Sequence, residues 1–299
     1  MSEKIEFYKN RSIGDRFSVA IDFLKQNWKV LYKNILIGGL PFAIIMGYLI
    51  AQLSGVRPVS VNDLPRFLLF YALLLLISFI TNIYLYSMTG AVLFHYDRNQ
   101  LSETTGWNDL KDAFFRFAGK TTLIFLLTAI PVIIIVAIFA YSLFVLGISD
   151  SASGHSLQQA FALIALMVLL FFGVIIALAP SLSIIYFPAY FSGKSSVESI
   201  KTAFVLGFKN WGSLFVALLL AGIVLIIISI VFSLPYEVIS LLSRGQLSII
   251  SYIFATLSAI GTLLASPILT AIFAFQYFSI VEREEGVSLQ SQIDAFENL

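Results

Sequence analysis

Ser12-Ile-Gly-Asp-Arg-Phe-Ser-Val-Ala-Ile-Asp-Phe-Leu-Lys-Gln-Asn-Trp28 is followed, a few residues on, by the uncharged run Ile35–Leu53. The two halves of this stretch call for different surroundings. In the first, Ile13, Phe17, Ala20, Ile21, Leu24, Trp28 and Leu31 recur at helical spacing, with Asp15, Arg16, Ser18, Asp22, Lys25 and Lys29 opposite. Ser12 and Asp15 stand where a helix cap and its first-turn acid belong. The second half approaches the roughly 20 apolar residues that cross a bilayer. The pattern predicts an interfacial helix that turns into a spanning helix near Asn27-Trp28.

The rest of the chain extends this theme. Of 299 residues, 59% are hydrophobic and 12% charged, and mean hydropathy is +0.93. A water-soluble domain of this length needs more charge to cover its surface. Uncharged apolar segments fall at Ile35–Leu53, Phe67–Phe94, Thr121–Gly147, Leu157–Phe187, Gly212–Leu234 and Leu247–Ile280. They imply an all-α polytopic membrane protein with six transmembrane helices. No strand alternation suggests a β-barrel. With no cysteine, disulfides and thiolate chemistry are excluded. The first thirty-odd residues are too polar for a signal peptide, so the first spanning helix is expected to stay in the chain.

Orientation follows from the basic residues. Of 18 Lys and Arg, all but Arg57, Arg66 and Arg244 lie in the N-terminal segment, the second-to-third and fourth-to-fifth connections, or the C-terminal tail. The positive-inside rule then places both termini in the cytoplasm of a bacterial inner-membrane protein. Residues 1–11 and 284–299 read as cytoplasmic tails, the first of them frayed. The outer connections Ser54–Pro65, Ile148–Ser156 and Pro235–Gln246 read as loops.

The inner connections carry further amphipathic segments. Trp107, Leu110, Ala113, Phe114 and Phe117 share one face. Val197, Ile200, Phe204, Phe208 and Trp211 share another, behind a capping box of Ser195 with Glu198. Asn27-Trp28 aligns with Asn210-Trp211, and Thr89, Ser183 and Thr270 each precede a tyrosine (Tyr96, Tyr190, Tyr277) by seven residues. These matches point to one membrane domain of three repeated hairpins, 12–98, 106–193 and 195–283, each preceded by a cytoplasmic amphipathic helix.

Candidate sites are few. Lys25, Lys29, Lys111, Lys201 and Lys209, with Trp28 and Trp211, are candidate lipid-headgroup contacts, because basic side chains at a membrane surface attract anionic lipid. The aromatic residues at inner span ends, Trp28, Tyr32, Tyr96, Trp107, Tyr190, Trp211 and Tyr277, fit an interfacial belt better than a ring of ligand contacts. Pro41, Pro131, Pro180 and Pro267 read as kinks in packed helices. Asn82 and Gln276 form a candidate intramembrane polar site, or serve as interhelical hydrogen-bonding groups. No acid or base lies firmly within a span, which argues against proton relays and intramembrane acid–base catalysis. Gly119-Lys-Thr-Thr122 lacks the upstream glycine of a phosphate-binding loop, since Phe114 stands there. His95 and His155 fall on opposite sides of the membrane, so no shared histidine metal site is expected.

Arg11-Ser-Ile-Gly-Asp-Arg-Phe17, Phe23-Leu-Lys-Gln-Asn-Trp28 and the close Tyr277-Phe-Ser-Ile-Val-Glu-Arg-Glu-Glu-Gly286 resemble bacterial membrane proteins related to the membrane domain of glycerophosphodiester phosphodiesterases, the DUF975-like group. The chain departs from that group at Ser279-Ile-Val281, where Asp-Leu-Arg is frequent. The resemblance implies a membrane module without the soluble phosphodiesterase domain, so no catalysis carries over. Mitochondrial carriers share only the arithmetic of three two-span repeats, since Pro41 is followed by Phe-Ala-Ile-Ile-Met. The expected protein is non-enzymatic, a scaffold, accessory or lipid-interacting component. Its expected partners are membrane lipids and an unidentified membrane protein, with no cofactor and no nucleic acid. The alternative is a transporter or channel for a neutral or amphipathic small molecule.

Overall fold

The structure is a computed structural model describing residues 4–55, 63–153, 157–242 and 248–288. Among these residues the chain is all-helical, with nine helices and no strand. They are α1 (Ile13–Gly55), α2 (Leu64–Asp97), α3 (Trp107–Ser153), α4 (Leu157–Ser183), α5 (Phe187–Phe191), α6 (Ser196–Lys209), α7 (Trp211–Phe232), α8 (Leu234–Leu242) and α9 (Ile249–Glu285). Six of them, α1, α2, α3, α4, α7 and α9, contain stretches long and apolar enough to cross a membrane. Ile37, Ile44, Leu68, Leu75, Ile133, Leu169, Ile226 and Ile227 all present large apolar side chains outward. An apolar surface of this extent belongs against lipid chains. The chain is a multi-pass integral membrane protein.

The first and last spanning helices form the most extensive pair, α1 against α9. Their close approach at one level depends on Gly47, where a Cβ would stand 2.5 Å from the Thr256 Cα. Around this pair, α2 packs on α1 and α3, α7 on α9, and α4 on α6 and α7. From Ala271 to Val281 every residue of α9 is buried, so this part of α9 is enclosed on all sides. The core is concentrated at this end, where Phe23, Phe117, Phe187, Phe275, Tyr277 and Phe278 are all nearly inaccessible. At the opposite end a smaller cluster of Ala51, Tyr236 and Ala255 is tied by the Tyr236 hydroxyl to Ser54 Oγ at 2.9 Å and the Ile50 carbonyl at 3.3 Å.

Several expectations need correction. The opening stretch does not break at Asn27-Trp28, because α1 runs unbroken from Ile13 to Gly55. Asn27 and Asn34 do not cap; they donate to the Phe23 and Val30 carbonyls one turn back, and no Gly or Pro interrupts the ladder there. Likewise α3 continues from its amphipathic turns through to Ser153. Only the third such segment, α6, is a separate helix, ending at Asn210 where the backbone leaves helical geometry (φ −114°, ψ 25°). The Pro235–Gln246 connection is helical over α8, beginning with Pro235 in its first turn, where a missing N–H costs nothing. Residues 4–11 are not frayed, as their contacts below show. His155, Arg57, Arg244 and residues 289–299 lie outside the described residues.

Candidate functional site

The end of the bundle carrying the N-terminus and the basic connections is assembled around aromatic rings. Residues 4–12 cross it as a strap. Phe7 is 3% exposed and its ring lies 4.6 Å from that of Phe278, 5.1 Å from Phe275 and 5.7 Å from Tyr96. The strap is fastened at both ends. The Tyr96 hydroxyl accepts from the Ile5 N–H at 3.0 Å, Lys4 Nζ donates to the Asp97 carbonyl at 2.9 Å, and the Arg11 N–H donates to Ser279 Oγ at 3.0 Å. Burial of the strap's own Tyr8, whose ring lies against Phe278, raises its phenol above its ordinary value and keeps it protonated. The groove between strap and α1 mixes Lys4, Lys9, Arg11 and Lys25 with Glu6, Asp15 and Asp22, so its charge largely cancels.

The aromatic residues expected in an interfacial belt divide into an inward and an outward set, and Tyr32, whose hydroxyl donates to the Leu264 carbonyl at 3.2 Å, belongs with the first. Tyr190 and Tyr277 are buried, and Tyr96 is half-buried. Each sends its hydroxyl to another element: Tyr190 to Thr121, Tyr277 to Ser192 at 2.8 Å and Tyr96 to Gln26 at 3.0 Å. These three hold helices together and do not face lipid. Trp28 and Trp107 are exposed at 56% and 42%, as a belt requires. The Trp211 indole donates to the Ala177 carbonyl at 3.2 Å and stacks on Phe215.

The five candidate lysines are not equivalent. Lys25 pairs with Asp22 at 3.5 Å, Lys29 with Glu103 at 3.4 Å, and Lys209 with Glu284. Lys111 and Lys201 are exposed and have no carboxylate partner among the described residues. Lys201 sits on α6, whose capping box forms as the sequence predicts: Ser195 N–H donates to Glu198 Oε2 at 3.0 Å, and Glu198 N–H donates to Ser195 Oγ at 3.3 Å. The Ser195 N–H, together with the Ser195 hydroxyl that donates to the same Oε2 at 2.8 Å, holds the Glu198 carboxyl below the usual carboxylate range. α6 buries Ser196, Ser199, Ala203, Leu206 and Gly207, while Val197, Val205 and Phe208 stay more than half exposed. Of the apolar stripe, Val197 and Phe208 therefore point away from the protein, Ile200 packs partly against the core, and most of the packing face is small.

Asn82 and Gln276 are not brought together. Asn82 is exposed on α2, and its amide donates to the Ser78 carbonyl of its own helix at 2.8 Å. Gln276 is fully buried in α9, where its Oε1 accepts from Arg16 Nη1 at 3.0 Å. Arg16, read from sequence as part of the polar face of α1, is only 3% exposed. Its Nε donates to the Arg11 carbonyl at 2.8 Å and its Nη1 to Ser213 Oγ at 3.0 Å. Two turns beyond Gln276, Arg283 donates to Asn210 Oδ1. Two arginines from α1 and α9 thus converge on the first turn of α7.

Against protein-family models, curated proteins and solved structures, the chain finds no match. The functional reading therefore rests on this geometry. Phe7, Arg16 and Arg283 are the residues sequence reasoning missed. The one available signal was Arg16 itself, which falls on the same helical face as Ala20, Phe23 and Asn27, the face α1 buries.

Proposed function

We propose that this protein is a non-enzymatic accessory or scaffold component of a bacterial inner membrane, with its basic end in the cytoplasm and engaged with anionic lipid. The observation that carries the reading is α6. Its small residues face the bundle, its large apolar flank of Val197 and Phe208 is exposed, and unpaired Lys201 lies on its outer side. A helix with these faces seats its apolar flank at the acyl boundary and holds its lysine at headgroup level. Lys111 on α3 has the same freedom from acids. The three-repeat organisation and the kinship with the DUF975-like group belong to this reading. Its support is that α3 packs on α2, α6 on α4 and α1 on α9, so each amphipathic segment leans on the last spanning helix of a neighbouring hairpin.

The alternative, a transporter with a path on the pseudo-threefold axis, is less favoured. At the basic end, Phe7, Phe23, Phe275 and Phe278 pack ring against ring, and Asn82 faces outward. The test is lipid retention in native mass spectrometry from a non-ionic detergent. Lys111→Gln with Lys201→Gln is expected to lower the number of retained phosphatidylglycerol molecules, each lysine contributing about 1 kcal/mol. Lys25→Gln with Lys29→Gln, whose cations are already paired, is expected to change it less. Equal retention by wild type and the Lys111/Lys201 variant overturns the reading.

A further inference from the structure

A guanidinium stays protonated at any physiological pH and is costly to bury without a counter-charge. Arg16 is so buried, and all its acceptors are neutral: the Arg11 carbonyl, the Ser213 hydroxyl and the Gln276 amide oxygen. No carboxylate lies within ion-pair distance among the described residues. Beside it, Gln276 is fully buried, its oxygen is taken by Arg16, and its Nε2 has no acceptor. That N–H₂ belongs to the same amide as the bonded oxygen, so it lies next to the guanidinium. Arg283 supplies a second guanidinium at Asn210, three residues before Ser213. Among the described residues, the acid paired with these cations is Glu284, shared by Lys209 and by Arg283, whose Nε lies 3.9 Å from it. Three cations thus face one carboxylate. The start of the 22-residue helix α7 points its positive end at the same place.

We propose that Arg16, Gln276, Arg283 and Ser213 form a binding site for a phosphate-bearing anion at the junction of α1, α7 and α9. Unsatisfied donors and surplus positive charge fit a group with several acceptor oxygens. The site opens where Arg283, with its side chain 43% exposed, reaches the surface. Trp211 and Phe215, stacked one turn along α7, stand where acyl chains would lie below a headgroup. An anionic phospholipid and a soluble phosphate present the same chemistry here. The inference deepens the lipid-engaging reading and rests on it for the level of the site in the membrane.

The experiment uses the full chain in non-ionic detergent, stripped of lipid and offered phosphatidylglycerol, diacylglycerol or inorganic phosphate. Native mass spectrometry and thermal unfolding are the readouts. One phosphatidylglycerol per chain is expected to survive activation that strips the others, with a raised melting temperature, while diacylglycerol leaves no such adduct. Gln276→Glu places a carboxylate against Arg16. Without lipid it is expected to melt above wild type, and to lose the retained adduct about tenfold or more. Arg283→Gln, at a partly exposed position, is expected to lose the adduct without the gain in melting temperature. A rise with inorganic phosphate and no lipid adduct assigns the same site to a soluble phosphate. Equal retention of phosphatidylglycerol and diacylglycerol, with no response to inorganic phosphate, overturns the site, as does an undiminished adduct in Gln276→Glu. The Lys111/Lys201 variant separates the two claims: it is expected to shed peripheral lipid and keep the single adduct. Loss of peripheral lipid with no single adduct in wild type sinks the site alone.

Discussion

Phe7 fills a space that five other aromatic rings surround, and it arrives there on a strap without secondary structure. A side chain in that position contributes through burial and ring contacts together. Phe7→Ala is expected to destabilise the protein by about 3–5 kcal/mol, read as a lowered melting temperature in detergent. A variant as stable as wild type would mean that the strap is not seated. Gly47 presents the opposite case, where adding atoms does the harm. Even the methyl of Gly47→Ala meets the Thr256 backbone, so α1 and α9 must separate, at about 1–3 kcal/mol. Gly14, with nothing within 4 Å of its would-be Cβ, is the control. Gly14→Ala is expected to be neutral or stabilising by up to about 1 kcal/mol, and equal behaviour of the two variants would refute the crossing.

The helix α6 shows how an element can be legible in position and misread in orientation. Its start was written in Ser195 and Glu198, because a capping box is a local device that needs no tertiary partner. Its packing face was not, because in a membrane an apolar side chain is at home on either side of a helix. There the informative residues are small and polar ones, which let backbones approach: Ser196, Ser199, Ala203 and Gly207 mark the buried face, and Val197 and Phe208 the lipid-facing flank. The same inversion hid Arg16 on α1. Ser195→Ala is expected to loosen the first turn of α6 by about 1 kcal/mol, seen as faster amide exchange over Ser196–Ser199. The cap also has a pH dependence. Because Glu198 is held below its ordinary value of 4.5, its stabilising contribution is present above that value and falls away as pH drops through the folded-state pKa. Glu198→Gln is expected to remove this acid dependence of local exchange. An identical pH profile in the variant would assign it to another group.

At the scale of the whole chain, the six spanning-capable helices could be read from uncharged length alone, since hydrocarbon thickness sets that length. What length cannot encode is which helices touch and which stand at the centre. The burial of α9 at its C-terminal end depends on Phe7, Phe23, Phe187 and Phe191, which come from elements far apart in sequence. The candidate site was equally dispersed: Arg16, Ser213, Gln276 and Arg283 have no common spacing, and only the fold brings them together. The lysines at the basic end were visible individually, but their pairing with Asp22, Glu103 and Glu284 was not.

The pairing of α1 with α9 also sets a timetable for synthesis. A chain made at about 5–20 residues per second leaves α1 in the bilayer for tens of seconds before its principal partner is made. During that interval Arg16 has no Gln276 to receive it, Gly47 has no helix to rest on, and the space that α9 will fill stays vacant. The bundle cannot close from its beginning; it waits for its last helix, and a chain cut short before α9 would leave α1, α2 and α7 without the helix they share as a neighbour.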